Sequence, residues 1–269
     1  MHLKRWLTAI VAVPALVLII CKGPPLVFAC LIAAIAVLAF REYFYIVSGG
    51  DRARILKPIP LAGSAFGLAM IAAALYSAYE IIFLLMFFGL LFGALFSMPA
   101  YRKAPQIMET VARQVQGVVY IFLPLCVLVL LRCRPDGLVW VFFVVLVVFL
   151  GDVGAFYVGT YFGRHKLAPA ISPGKSVEGA FGGLAANIAV ALIFKSILLP
   201  DLSIAFTVVF AVIVGIAGQI GDLFESQLKR RAGIKDSGTI LPGHGGMLDR
   251  IDALLFAMPV AYGFNLFVF

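Results

Sequence analysis

Residues 222–252 combine acidic, basic and hydroxyl side chains at spacings that could hold a metal ion beside phosphate groups. This stretch contains ten of the 34 charged side chains in under an eighth of the 269-residue chain. Four of its side chains follow the pattern i, i+3, i+4 and i+7, so a helix would place them on one face. They are Asp222, Glu225, Ser226 and Lys229, with Arg230 beside them. Carboxylates ligate hard divalent cations and basic side chains bind phosphate oxygens, so the pattern predicts a site for Mg²⁺ and a polyphosphate.

A glycine-rich turn, LPGHGG, precedes the last apolar segment of the chain. Its glycines tolerate positive φ and let backbone N–H groups approach an anion, although His244 within it could simply hydrogen-bond the turn. Asp249 and Asp252 follow on one face of what the sequence predicts to be the last helix. Either acid could instead have a structural role, because a carboxylate near a helix N-terminus is favoured by about 0.3–1 kcal/mol.

Residues 150–180 supply a second set of polar side chains. Asp152 interrupts an apolar run, where an ionised carboxylate costs at least ~2.5 kcal/mol and is a functional candidate by default. The Pro- and Gly-rich turn after it leads into a helix, a position that suits phosphate, and contains Ser172, Lys175, Ser176 and Glu178. The letters GKS within it do not form a P-loop, because Pro169 stands where that motif requires glycine.

The rest of the chain is apolar enough to require a membrane. It is 63% hydrophobic and 13% charged, against about 25% charged in a soluble domain. A helix needs about 20 apolar residues to cross the hydrocarbon layer, and Pro, Gly and charge separate such runs. The fold predicted is an all-α polytopic membrane protein with about nine spans, with eight or ten as alternatives. The predicted spans are 6–21, 25–47, 59–79, 81–98, 110–131, 137–162, 178–199, 203–221 and 252–269.

The basic residues predict the orientation of these spans. With the N-terminus in the cytoplasm, 17 of the 21 Lys and Arg residues fall on the cytoplasmic side, as the positive-inside rule expects. The net charge of +8 therefore needs no nucleic acid to explain it. We predict a multi-pass protein of the inner (plasma) membrane whose first span is retained rather than cleaved as a signal peptide. Residues 1–135 would form an N-terminal multispan region and residues 136–269 a catalytic region with its polar loops in the cytoplasm.

The polar segments together resemble a known family. The run from Ser226 to Asp252, SQLKRRAGIKDSGTILPGHGGMLDRID, is similar to the motif of the phosphatidate cytidylyltransferases, the CDP-diacylglycerol synthases. The upstream segments DVGAFYVGTYFG and ISPGKSVEG resemble that family too, with Ser176 where threonine is more usual, so a hydroxyl is kept. The first 130 or so residues are similar only as a generic multispan region.

The resemblance implies a reaction in which CTP and phosphatidic acid give CDP-diacylglycerol and pyrophosphate. It also implies an all-helical membrane enzyme that depends on a divalent cation such as Mg²⁺ and is often a homodimer; a monovalent cation is left open. On this basis metal binding is assigned to Asp222 and Asp249, with Asp152 and Glu225 as further ligands. Phosphate and substrate binding is assigned to Lys175, Lys229, Arg230, Lys235, Ser172, Ser176, Ser226, His244, Gly245 and Gly246, and charge neutralisation to Arg250.

Several other interpretations of the same residues stay open. Another lipid phosphate, isoprenoid or ether-linked, could be the acceptor, and intramembrane acids such as Asp152 also occur in ion-coupled transporters. Lys229, Arg230 and Arg231 could bind anionic headgroups. Outside the polar loops, the sequence suggests an Arg41–Glu42 pair at the membrane interface. It also suggests a dimer seam at Gly89 and Gly93, which have GxxxG spacing.

Overall fold

The computed structural model describes residues 17–18, 20–51, 55, 57–238 and 245–268, and it is almost entirely helical. Most of the predicted first span, 6–21, lies outside the described residues. The helices are α1 (Pro25–Val47), α2 (Pro58–Leu75), α3 (Tyr79–Tyr101), α4 (Ile107–Gly117), α5 (Leu123–Cys133), α6 (Gly137–Phe162), α7 (Val177–Leu198), α8 (Ile204–Arg231) and α9 (Leu248–Leu266). A π-helical turn, Val118–Phe122, joins α4 to α5 without a break.

Seven helical segments of the described chain are long and apolar enough to cross a bilayer. They are α1, α2, α3, the continuous segment Ile107–Cys133, α6, α7 and α8. The all-α polytopic fold class is therefore confirmed, whereas the count of nine spans and the cytoplasmic N-terminus stay predictions. Helix α9 covers most of the predicted last span, but it is not among these seven segments.

One short hairpin interrupts the helical architecture at the Pro- and Gly-rich turn between α6 and α7. Strands β1 (Lys166–Ala168) and β2 (Ser172–Ser176) pair antiparallel, with Lys166 opposite Ser176 and Ala168 opposite Ser172. The sequence predicted a turn at this place but no strands.

The chain forms two compact units. Unit 1 comprises Met1–Cys133 together with Arg231–Arg250, and unit 2 comprises Arg134–Arg230 together with Ile251–Phe269. The segment around the glycine-rich turn thus belongs to the same unit as the N-terminal helices.

Unit 1 has an aromatic core where α1 meets the π-helical turn. The ring of Phe40 lies 5.0 Å from that of Phe44 and 5.2 Å from that of Phe122. The hydroxyl of Tyr43, which is fully buried, donates to Oε1 of Gln116 at 2.8 Å. Because these rings come from elements far apart in sequence, they fix α1 against the α4–α5 segment.

Gly89 and Gly93 of α3 are buried within unit 1 itself. Gly89 faces Phe66, and its carbonyl accepts a hydrogen bond from Nε2 of Gln114 at 3.2 Å; a Cβ on Gly93 would meet Val111 and the same glutamine. The GxxxG pair therefore allows close packing inside the chain and is not the dimer seam that the sequence suggested.

Unit 2 is built on the pair of helices α6 and α7. The N-terminal half of α6 and the C-terminal half of α7 enclose an aromatic cluster. Phe143 stacks on Phe194 at 4.9 Å and on Phe210 of α8 at 4.6 Å. The fully buried Trp140 lies beside them. Towards the hairpin, glycines replace the aromatic residues, so the two backbones approach closely. Gly179, for example, lies against Gly159 and the carbonyl of Ala155.

We expect Gly179→Ala to destabilise the protein, because the helix contact leaves no room for a side chain. A Cβ at this position would lie 2.8 Å from the carbonyl oxygen of Ala155 and 3.1 Å from Cα of Gly159. Overpacking of this kind costs about 1–3 kcal/mol. Gly263→Ala is the matched control, since within the described chain nothing lies within 4 Å of its Cβ position. Thermal unfolding in detergent micelles compares the two, and equal midpoints would contradict the close contact.

Candidate active site

The polar side chains of unit 2 gather at the end of the α6–α7 pair where the hairpin lies. Helix α6 ends at Phe162, the hairpin follows, and α7 begins at Val177. Nε of Arg230 donates to the carbonyl oxygen of Ile171 at the hairpin tip, at 3.1 Å, so the C-terminal part of α8 lies at the same end. This arrangement brings residues up to 100 positions apart in the sequence, from Asp152 to Asp252, into one cluster.

Asp222 contacts two other polar side chains of this cluster. Its Oδ2 forms an ion pair with Nζ of Lys175 at 2.5 Å, and its Oδ1 accepts a long hydrogen bond from Oγ of Ser226 at 3.5 Å. Both members of the ion pair are partly accessible, with 27% of the Lys175 side chain and 34% of the Asp222 side chain exposed. The pair can therefore open to a ligand without unfolding of the surrounding helices.

Two more carboxylates lie within electrostatic range of Asp222. Asp152 on α6 and Asp252 in the first part of α9 each interact with it, and with one another, as like charges. A cation placed among like charges relieves their repulsion. Asp252 is thus part of the cluster, although the sequence also allows it a purely structural role at the helix start. Its Oδ1 also accepts from the N–H of Ala253 at 2.9 Å.

Close packing of α9 on α8 places Asp252 there. The backbone carbonyl of Asp252 lies directly over Gly221, where there is no space for a Cβ, and the ring of Phe256 packs 5.6 Å from that of Phe224. The glycine that precedes Asp222 in the sequence therefore has a specific reason, which is the approach of the α9 backbone.

Glu225 and Lys229 form a second, buried ion pair one helical step away from Asp222. The carboxylate of Glu225 is fully buried and contacts Nζ of Lys229, whose side chain is only 12% exposed. The four side chains predicted to share one helical face therefore form two pairs, Asp222 with Ser226 and Glu225 with Lys229. Asp222 and Ser226 border the accessible cluster, whereas Glu225 lies in the interior.

The hairpin that carries Lys175 is held by hydrogen bonds from α7. Oε2 of Glu178 accepts from the N–H of Arg164 at 3.0 Å, and Oε1 pairs with Nδ1 of His165 at 2.6 Å. The hydroxyl of Ser176, expected to bind substrate, accepts from the N–H of Gly179 at 3.1 Å and caps α7. Ser172 lies half-buried in β2 opposite Ala168.

Asp249 and the other predicted residues of the glycine-rich turn lie in unit 1. Oδ2 of Asp249 accepts from the N–H of Gly246 at 2.9 Å and from the N–H of Ser237 at 3.1 Å. Gly245 has φ +80°, as the glycine-rich pattern predicted. The Gly246 amide, expected to approach an anion, thus already binds a carboxylate of its own chain.

The remaining residues of this segment differ in how far the structure describes them. Lys235 and Arg250 are exposed. His244 lies outside the described residues, so its predicted role in orienting phosphate stays a prediction.

Glu42 is a polar residue of unit 1 whose role the sequence interpretation missed. It is 5% exposed, and its Oε2 accepts from Oγ of Ser237 at 3.1 Å and from the N–H of Leu248 at 2.8 Å. Arg41 is exposed, so the expected interfacial pair does not describe Glu42. The sequence did contain a signal for Glu42, because a carboxylate inside an apolar segment is the same pattern that singled out Asp152.

The donor set of the unit 2 cluster fits Mg²⁺ in its chemistry. Among the described residues, no group of three or more His, Cys, Asp or Glu side chains is arranged to enclose a metal ion. Mg²⁺ does not require such a cage, since it usually keeps several waters and is held by one or two carboxylates together with substrate phosphates. Asp222, with Asp152 and Asp252 nearby, carries carboxylate oxygens of that kind.

Comparison with known proteins decides the family. The sequence profile of the Cytidylyltransferase family matches residues 3–268. The chain belongs to this family. Among similar curated proteins, the phosphatidate cytidylyltransferase of Staphylococcus epidermidis is 44% identical over 127 residues, which are 47% of this chain and 49% of that protein. That of Staphylococcus haemolyticus is 46% identical over 127 residues, again 47% and 49% of the two chains.

A third relative comes from another genus. The phosphatidate cytidylyltransferase of Bacillus subtilis is 44% identical over 126 residues, which are 47% of each chain. The matched stretch thus spans about half the length of these curated relatives.

Proposed function

We propose that this member of the cytidylyltransferase family transfers a cytidylyl group from CTP to phosphatidic acid, giving CDP-diacylglycerol and pyrophosphate. The reaction takes place at the cytoplasmic face of the inner membrane and depends on a divalent cation, Mg²⁺. The observation that carries the proposal is the accessible ion pair between Asp222 and Lys175, with Asp152 and Asp252 in electrostatic range. The choice of substrates is supported by the relatives, which are phosphatidate cytidylyltransferases.

The chemistry is an in-line displacement at phosphorus. An oxygen of the phosphatidate phosphate attacks the α-phosphorus of CTP and forms the new P–O bond. The bond between the α-phosphorus and the bridging oxygen breaks, and pyrophosphate leaves with that electron pair. The phosphatidate phosphate is already an anion near neutral pH, so the protein needs no general base. Positioning and charge neutralisation account for most of the catalysis in such transfers.

The residues of unit 2 supply positive charge and orientation. Lys175 lies on a hairpin held by Glu178 and Arg230, so its ammonium group is positioned before substrate arrives. When the triphosphate binds, Lys175 exchanges its contact with Asp222 for a phosphate oxygen. Ser226, already pointing at Asp222, keeps that carboxylate oriented during the exchange.

Asp222 is the principal metal ligand in this proposal, with Asp152 beside it. Asp249 is retained as a predicted ligand on the basis of the motif that carries the family resemblance. Mg²⁺ held by these carboxylates would supply positive charge that neutralises the phosphates. Glu225 is the weakest of the predicted ligands, because its carboxylate is fully buried against Lys229. A homodimer, expected from the resemblance, remains part of the proposal and is tested by cross-linking in the native membrane.

We expect the purified protein in detergent to convert labelled CTP and phosphatidic acid to CDP-diacylglycerol with Mg²⁺ and to stop when EDTA removes it. Product is separated by thin-layer chromatography and pyrophosphate is measured in parallel. A panel of lipid phosphates, including isoprenoid and ether-linked ones, is assayed beside phosphatidic acid. Faster transfer to one of these lipid phosphates than to phosphatidic acid would identify that lipid as the acceptor. Solute uptake into proteoliposomes without pyrophosphate release would reject the enzyme and favour a transporter.

A further inference from the structure

We infer that Glu42 is a positioning residue for the reaction, acting through the segment that carries Asp249. The inference rests on the proposed function for its catalytic part and on the geometry of unit 1 for its structural part. Glu42 lies on α1, 195 residues before Ser237 and 206 before Leu248. Glu42 therefore connects α1 to the start of α9 across a long distance in the sequence.

Both hydrogen bonds to Glu42 converge on one oxygen atom. Oγ of Ser237 and the N–H of Leu248 donate to the same Oε2, at 3.1 and 2.8 Å. The first bond holds the end of the segment that follows α8, and the second satisfies one of the N–H groups that a helix leaves unpaired in its first turn. Glu42 thus performs the task of an N-cap for α9 from a distant helix.

Asp249 is fixed by the residues that Glu42 holds. Its carboxylate accepts from the backbone N–H of Ser237, the residue whose hydroxyl binds Glu42, and from that of Gly246. Asp249 also follows Leu248 directly, so a change in the helix start moves it. Glu42 therefore sets the position of Asp249 through two connections without itself reaching a substrate.

Two glycines of the motif fit this arrangement closely. A Cβ on Gly238 would run into the carboxylate of Glu42, and a Cβ on Gly246 would run into both that carboxylate and the hydroxyl of Ser237. These glycines are thus explained by the approach of the Glu42 side chain. The glycines of the run around Ser237 and the glutamate of FREYF are parts of one structure, although the sequence separates them widely.

Because both hydrogen bonds end on one oxygen of Glu42, substitutions of this residue can test its role. Glutamine at position 42 can place its carbonyl oxygen where Oε2 lies and accept both bonds, whereas alanine and leucine can accept neither. We expect Glu42→Gln to keep kcat within about threefold of the wild type, and Glu42→Ala and Glu42→Leu to lower it at least tenfold. The KM for phosphatidic acid should stay within about twofold. Glu80→Ala is the control, since Glu80 is an exposed glutamate in the first turn of α3.

A partner substitution tests the same path independently. Ser237→Ala removes one of the two bonds, and we expect it to lower kcat about threefold to tenfold. Combined with Glu42→Ala it should add nothing beyond Glu42→Ala alone, because residues of one hydrogen-bond network are not additive. Ser237→Ala removes only a hydroxyl, so it keeps the test valid if Glu42→Ala does not yield folded protein.

Hydrogen–deuterium exchange separates this inference from the proposed reaction. Peptides covering 245–250 should exchange at least tenfold faster in Glu42→Ala than in the wild type or in Glu42→Gln, while peptides of α6 and α7 are unchanged. That result stands whatever the substrate is, so a wild type inactive on phosphatidic acid would reject only the proposed function. Equal losses in Glu42→Gln and Glu42→Ala, or unchanged exchange at 245–250, would overturn the role of Glu42.

Discussion

Replacement of Asp222 by asparagine is expected to lower the turnover of cytidylyl transfer by about 10³-fold, the loss typical of a group that stabilises charge in the transition state. Asp222 contacts both a cation, Lys175, and a hydroxyl, Ser226. The amide keeps the size of the side chain but cannot supply a charged ligand to Mg²⁺. The loss should therefore appear in kcat and in the Mg²⁺ concentration needed for half-maximal rate.

The folded state of Asp222→Asn should be nearly as stable as that of the wild type. The substitution weakens the contact with Lys175, but it also removes the repulsion of Asp222 with Asp152 and Asp252. Asp201→Asn is the matched control, because Asp201 is an exposed aspartate between α7 and α8. The assay is single-turnover transfer in detergent, with thermal unfolding of both variants. A folded Asp222→Asn protein with near-wild-type turnover would refute the assignment.

Much of the membrane architecture could be predicted from the sequence, since lipid requires every spanning backbone group to be bonded within its own helix. The predicted spans 137–162 and 178–199 correspond to α6, Gly137–Phe162, and α7, Val177–Leu198. The predicted span 203–221 covers the apolar part of α8, and the helix continues to Arg231 through the face predicted for Asp222 to Lys229. Hydropathy marks the apolar part of a helix, whereas the polar face that follows stays helical through its i, i+4 pairs.

The candidate site was predictable only where its contacts are local. The spacing of Asp222 and Ser226 predicts a shared face, and the structure joins them by a hydrogen bond. The same spacing could not show that Glu225 is buried, since burial depends on which other helices pack against α8. The partner of Asp222 is 47 residues away, at Lys175. No periodicity in the sequence predicts such contacts.

Breaking the ion pair between Glu225 and Lys229 should cost more stability than any other single change in α8. Glu225 is fully buried, so Lys229→Met would remove the cation that contacts its carboxylate in the interior, at a cost of about 3–5 kcal/mol. The control is a second i, i+4 pair, Glu109 with Arg113, whose side chains are 65% and 24% exposed. Arg113→Met should lower the stability by no more than about 0.5 kcal/mol, as is usual for surface pairs. Unfolding by SDS titration measures both.

The double variant Glu225→Met/Lys229→Met separates the structural role of the pair from a role in catalysis. Replacing both charges by apolar side chains of similar length removes the desolvation cost, so the stability should return close to that of the wild type. Activity should not return, because the charge of Lys229 also acts on Asp252 within the cluster. We expect turnover to stay at least about tenfold low, equivalent to roughly 1.4 kcal/mol of transition-state stabilisation. A stable double variant with full turnover would show that Lys229 serves only to neutralise Glu225, and the phosphate-binding charge would then have to come from Lys175 and Arg230.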